Sequence, residues 1–136
     1  MRRSLCPVAL GGHRSIVALV ATWSVVALAA SPPGVMRCGW FDNPTPGNAT
    51  LVDRDGEWTI GLQGGHQAKG SWPSFDSGQW VRTGTGSAGY GCACLKVKAN
   101  ADSQEVSVIV SSRALPLANC RTDPALKGQE PVNPLK

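Results

Sequence analysis

Gly89-Tyr90-Gly91-Cys92-Ala93-Cys94-Leu95-Lys96-Val97 sets two cysteines one residue apart at the head of a stretch that alternates like a β-strand. Three chemistries compete for such a pair. A redox-active pair uses two intervening residues at a helix N-terminus, where the thiol pKa falls. Here one residue intervenes, the flank is Gly-Tyr-Gly, and the continuation reads as strand. Structural zinc sites space their cysteines two to four apart, and this pair misses that pattern. On a strand, positions i and i+2 face the same side, roughly 6–7 Å apart by the rise per residue. A bridge between them would need the strand to buckle, given the tight geometry of a disulfide. Cys92 and Cys94 are therefore expected to bond outward, each to a different partner.

The front of the chain says which partners remain. Arg2, Arg3 and Arg14 precede an apolar run from Ile16 to Ala30, which closes on Ala27-Leu28-Ala29 with Pro32-Pro33 just beyond. That order is a secretory signal peptide over 1–29, cleaved near Ala29-Ala30. The run is shorter than the roughly 20 residues a span needs, so no stable membrane span is expected after cleavage. Cys38 follows Val35-Met36-Arg37, which is not a lipid-attachment box. Cys6 leaves with the signal, and Cys38, Cys92, Cys94 and Cys120 remain as an even set in an oxidising compartment. Two disulfides follow.

Removing 1–29 from the 136 residues leaves 107, one domain of the size at which exported proteins add covalent staples. Removal also changes the charge. Three of the 13 basic residues go, so ten basic residues face nine acidic ones, a net of +1. The sequence pI of about 9.0 belongs to the targeting segment. No basic footprint remains for nucleic acid, and that partner class is excluded.

Outward from the cysteines, short strands alternate with turns. Residues 37–48 read as a turn-rich lead-in, with Asn43-Pro44 and Pro46-Gly47 marking bends. Residues 49–52 and 58–62 read as strands joined through Asp55-Gly56, a hairpin signal because glycine accepts positive φ. Trp58, Ile60 and Leu62 are expected on one face. A glycine-rich stretch over 64–70 leads to a short strand at 79–83. Residues 90–98 and 104–111 are expected to form an antiparallel hairpin, with Val106, Val108 and Val110 alternating. The chain then leaves near Ser111-Ser112, beside the Gly91-Cys92 end. Cys92–Cys120 is the easier closure, which leaves Cys94 for Cys38; the other outward version, Cys92 with Cys38 and Cys94 with Cys120, stays open.

The fold class is all-β: a small antiparallel sandwich or partly open barrel of about five strands, held by two disulfides. The domain plan is a signal over 1–29, a short linker over 30–36, a stapled β-domain over 37–120, and a Pro-rich flexible tail over 121–136.

Several motifs are decoys. Gly84-Thr85-Gly86-Ser87-Ala88-Gly89 spells the dinucleotide fingerprint, which works by opening a helix onto the pyrophosphate. Here the last glycine opens a strand. Asp53, Asp55 and Glu57 alternate across a turn, but calcium needs six or more oxygens. Asn48-Ala49-Thr50 is a glycosylation sequon only in a host that glycosylates there. His66, the one histidine outside the signal, lies in a glycine-rich loop with no nucleophile elbow. Pairs among Asp42, Asp53, Asp55, Glu57 and Asp76 have no spacing that argues for acid–base work. No catalytic residue, metal or cofactor is expected. Four tryptophans remain after the signal: Trp58 and Trp80, inside strands, read as core. Trp40 and Trp72 lie beside turns, where an indole can stack on a sugar or anchor a protein, so these two are the candidate ligand contacts.

Arg37-Cys38-Gly39-Trp40-Phe41, Asn43-Pro44-Thr45-Pro46-Gly47-Asn48, Asp53-Arg54-Asp55-Gly56-Glu57-Trp58 and Tyr90-Gly91-Cys92-Ala93-Cys94-Leu95-Lys96-Val97 resemble the bacterial domain-of-unknown-function family 4087. Leu115-Pro116-Leu117, Cys120 and Asp123-Pro124 fit as well, so the resemblance covers about residues 36–126. It implies a small exported bacterial protein and carries over no activity, ligand or catalytic residue. The expectation is a monomeric, non-enzymatic periplasmic or secreted domain that binds an envelope protein or glycan. The alternatives are an inhibitor of a foreign lysozyme or protease, and a hydrolase that uses Asp42 or Asp55.

Overall fold

The structure is a computed structural model that describes residues 33–136 together with Gly11. The expected signal over 1–29 and its cleavage point lie outside the described residues. Strand β1 (Val35–Thr45) turns at Pro46-Gly47 into β2 (Asn48–Asp53), which passes through a tight hairpin into β3 (Gly56–Gly61). A long connection reaches the short β4 (Trp80–Arg82). Then β5 (Gly89–Asn100) and β6 (Glu105–Leu115) form the expected hairpin. Helix α1 (Leu117–Arg121) and a 3-10 turn over Pro124–Leu126 follow.

All six strands belong to one sheet, ordered β1-β2-β3-β6-β5-β4, and β1 pairs with β5 as well. Five of them therefore close into a ring. Strand β4 takes the three-residue stretch of the β5 edge that β6 leaves open. The closure stops short of a barrel, because β3 and β6 share a single parallel pair, Thr59 with Glu105. The 64–70 stretch, expected as a loop, fills that seam. On one side the Ala68 N–H donates to the Ile60 carbonyl. On the other, the Lys69 N–H donates to the Ser107 carbonyl and the Ile109 N–H to the Lys69 carbonyl. His66 clips the same seam, with Nε2 2.7 Å from the Val106 carbonyl oxygen and Nδ1 3.3 Å from a Glu105 carboxylate oxygen.

Three expectations need correction. The lead-in over 37–48 is mostly strand, and only Pro46-Gly47 turns. Pro44 sits within β1 because the β1–β2 register shifts between Asp42 and Thr45, and β1–β5 pairing ends at Asn43 with Gly89. A proline at a bulge has no ladder bond to break. The alternation of Val106, Val108 and Val110 also fails. Bulges in β5–β6 skip Val110 and Ser107, so Val106 and Ile109 are buried while Val110 is exposed. Similarly β3 stops at Gly61, and Leu62 is left exposed rather than beside Trp58 and Ile60.

The ring encloses a core of Phe41, Leu51, Trp58, Ile60, Leu95, Val97, Val106 and Ile109, drawn from all five closing strands. A second cluster, Trp40, Tyr90, Cys92, Cys120 and Leu126, lies on the other face of β1 and β5 under α1 and the 3-10 turn. The disulfides are Cys38–Cys94 and Cys92–Cys120, so each half of the Cys-Ala-Cys pair bonds outward. Cys38 lies directly opposite Cys94 in the β1–β5 ladder, with Cα atoms 4.0 Å apart. Part of the segment expected as a flexible tail packs. Leu126 is buried, and the Glu130 carboxylate accepts from the Tyr90 hydroxyl at 2.9 Å and from Arg121 Nη2 at 2.7 Å.

Candidate binding site

The inward face of β1 carries Arg37 at one end and Asn43 at the other, separated by about 20 Å of strand. The Arg37 end carries a charged cluster beside a cavity of about 270 Å³ lined by Arg37, Asp53, Arg54, Asp55 and Asp123 among others. Arg37 Nη1 donates to Asp53 Oδ2 at 2.8 Å and to Asp55 Oδ2 at 3.0 Å, and its guanidinium carbon stands 3.6 Å from the centre of the Trp58 ring. Asp53 Oδ1 accepts from Trp58 Nε1 at 3.0 Å and from the Asp55 N–H at 2.8 Å. Asp53 is 3% exposed and the Arg37 side chain 14%. Both oxygens of the Asp53 carboxylate accept from donors inside the protein, so this cluster ties the end of the ring together. Two of the three acids around that turn, Asp53 and Asp55, are held by an arginine. Among the described residues no group of three or more His, Cys, Asp or Glu is placed to hold a metal.

The Asn43 end is open. A pocket of about 290 Å³ is lined by Phe41, Asn43, Trp72, Pro73, Phe75, Trp80 and Ser87. Three of its walls, Trp72, Phe75 and Trp80, are half-buried and rest on the core through Phe41. Phe41 meets Trp72 edge-on at 5.5 Å between ring centres, and Phe75 lies 4.8 Å from Trp80 at a tilt of 39°. The sequence makes room for them on β5. A Cβ at Gly91 would strike the Phe75 ring, and one at Gly89 would strike the Trp80 indole. The glycines that flank Tyr90 thus let two aromatic rings lie flat on the strand.

Asn43 is the polar element. It is 2% exposed, and Nδ2 donates to the Ser87 carbonyl at 3.1 Å and to Ser87 Oγ at 3.3 Å. A backbone carbonyl only accepts, which fixes the orientation of the amide. Oδ1 is buried with no partner. An unpaired buried acceptor costs about 1–3 kcal/mol, and a ligand donor at this point would recover it. Every lining side chain is uncharged at neutral pH.

The expected contacts divide. Trp72 lines the pocket, whereas Trp40 is wholly buried, edge-on to Tyr90 at 5.6 Å, and presents no surface to a ligand. Trp80, expected in the core, is a pocket wall instead. Asn43 and Ser87 were hidden in the sequence, one in an apparent turn and the other in the dinucleotide decoy. The usable signal was three aromatics within nine residues, Trp72, Phe75 and Trp80, in an otherwise polar loop. Asp42 is half-buried, and burial, with the charge of Glu57, pushes its carboxyl above the usual range.

A family model described as "Protein of unknown function (DUF4087)" matches residues 34–127. No curated protein and no solved structure matches the chain. Among the described residues no helix is long and apolar enough to cross a membrane.

Proposed function

The chain belongs to the DUF4087 family, a membership that brings no activity with it, and we propose from its own architecture that it is a non-enzymatic binding domain of the cell envelope whose site is the Asn43 pocket. The observation that carries this is a pocket with half-exposed aromatic walls and a buried amide oxygen that lacks a donor. Small-ligand sites have this composition: mostly apolar walls with a few placed polar groups. Export is supported by the two disulfides, which persist in oxidising compartments, and by the basic, apolar and small-residue order of residues 1–29. The occupant is an envelope protein or glycan.

The test follows the indole N–H signals of Trp72 and Trp80 in the nitrogen-15-labelled, disulfide-bonded protein as soluble envelope fractions are added. A fraction that binds in the pocket shifts these two and leaves Trp40 and Trp58 in place. Envelope fractions that leave the pair unmoved at saturation overturn the assignment. Pull-down with a panel of lysozymes and proteases tests the inhibitor alternative separately.

A further inference from the structure

We propose that the Asn43 pocket seats one uncharged sugar ring, with a ring hydroxyl held between Asn43 and Ser87. The proposal rests on the pocket being the binding site and goes on to name what fills it.

Three features narrow the occupant. The first is charge: Phe41, Asn43, Trp72, Pro73, Phe75, Trp80 and Ser87 bring no ionised group. A carboxylate, phosphate or ammonium entering here would be desolvated without a counter-charge. The second is size. At about 290 Å³ the space is at the small end of ligand sites, enough for one ring and too small for a length of folded chain.

The third feature is the polarity of the Asn43–Ser87 pair. Asn43 Oδ1 has no partner and can only accept. Ser87 Oγ accepts from Asn43 Nδ2, and its own hydroxyl proton remains to be donated to a ligand. A single alcohol completes both groups by donating to Asn43 and accepting from Ser87. Indole and backbone N–H groups supply only half of that exchange. The aromatic walls complete the description. A pyranose presents apolar C–H faces that lie against tilted rings while its hydroxyls point to the pocket's polar corner. Trp72 and Trp80 thereby lose water from surfaces that are otherwise half-exposed.

The experiment titrates the labelled protein with three uncharged disaccharides, namely chitobiose, cellobiose and maltose, and with two competitors, p-cresol and a tyrosine-containing neutral peptide. At least one disaccharide is expected to shift the Trp72 and Trp80 indoles saturably. Ser87→Ala should weaken that binding roughly three- to ten-fold, the share of one hydrogen bond. Ser87 is exposed, so this variant keeps its fold, and unchanged Trp40 and Trp58 signals verify it. If envelope fractions or the phenols move the two indoles while no disaccharide does, the sugar falls and the pocket stands. If neither envelope fractions nor any probe moves them, the pocket falls with it.

Discussion

Asp53 satisfies three donors from one buried carboxylate, and the residues around it are arranged to keep it paired and dry. Arg37 supplies the charge, Trp58 an indole N–H and a face for the guanidinium, and the hairpin a backbone N–H. Removing one member of such a pair strands the other. Asp53→Ala should lower unfolding free energy by about 3–5 kcal/mol, read by urea denaturation of the oxidised protein. The pair Arg37→Met with Asp53→Leu should lose clearly less than that, because no unpaired charge is left inside. A double variant as unstable as the single one would mean that the ion pair itself, and not its completeness, holds this end of the ring. Asn43 is the counterpart at the other end. It is also a buried polar side chain on β1, and its Oδ1 is left without a partner, whereas both oxygens of Asp53 are engaged.

At the scale of elements, the chain was legible wherever local chemistry decided the outcome. The β2–β3 hairpin follows from Gly56, whose φ is 136°, and the β5–β6 hairpin and the outward cysteines follow from alternation around the Cys-Ala-Cys stretch. It was illegible where a distant segment intervened. The 64–70 stretch lies along β6, and the bulges at Ser107 and Val110 accommodate it, so no period within β6 alone could reveal which valines turn inward. Strand β1 was obscured by Pro44, tolerable only because both neighbouring ladders lapse there. The aromatic pocket was half visible for the same reason: Trp72 could be singled out, but Asn43 and Ser87 meet across 44 residues. The packed part of the C-terminal segment also carries a pH dependence. Hydrogen bonds from Arg121 hold the Glu130 carboxyl below the usual range; burial opposes them, and the Tyr90 hydroxyl adds to the lowering. A carboxyl whose folded pKa lies below its unfolded one stabilises above the unfolded value, about 4.3, and loses that contribution as pH falls through the folded one. The contact to Tyr90 should therefore hold at neutral pH and release in acid below about pH 4. NMR signals of residues 127–136 followed through an acid titration check this. Glu130→Gln should already show the released positions at neutral pH, and identical titrations of both proteins would refute the assignment.

For the whole molecule, the ring is closed by direct strand pairing on four seams and, on the fifth, through the inserted 64–70 stretch, so covalent links matter more than its size suggests. Cys38–Cys94 spans a sequence separation of 56, and the chain-entropy model values such a link at about 4 kcal/mol. Total stability for a domain is about 5–15 kcal/mol. Replacing both cysteines by serine should shift the urea midpoint downward by the equivalent of roughly 4 kcal/mol. A shift under about 1 kcal/mol would show that the β1–β5 ladder alone closes the ring. The same connectivity has a consequence in time. The four disulfide-bonded cysteines are interlaced, first with third and second with fourth. A chain that emerges from its N-terminus presents Cys92 to Cys38 before Cys94 arrives, and both before Cys120. Oxidation in order of arrival joins the wrong thiols. Only the register of β1 against β5, which sets Cys38 opposite Cys94, tells the two candidates apart. Either the ladder forms before the thiols close, or a premature bond is reopened by exchange. On the second route the domain draws on its surroundings for a catalyst that rearranges disulfides, and not merely one that makes them.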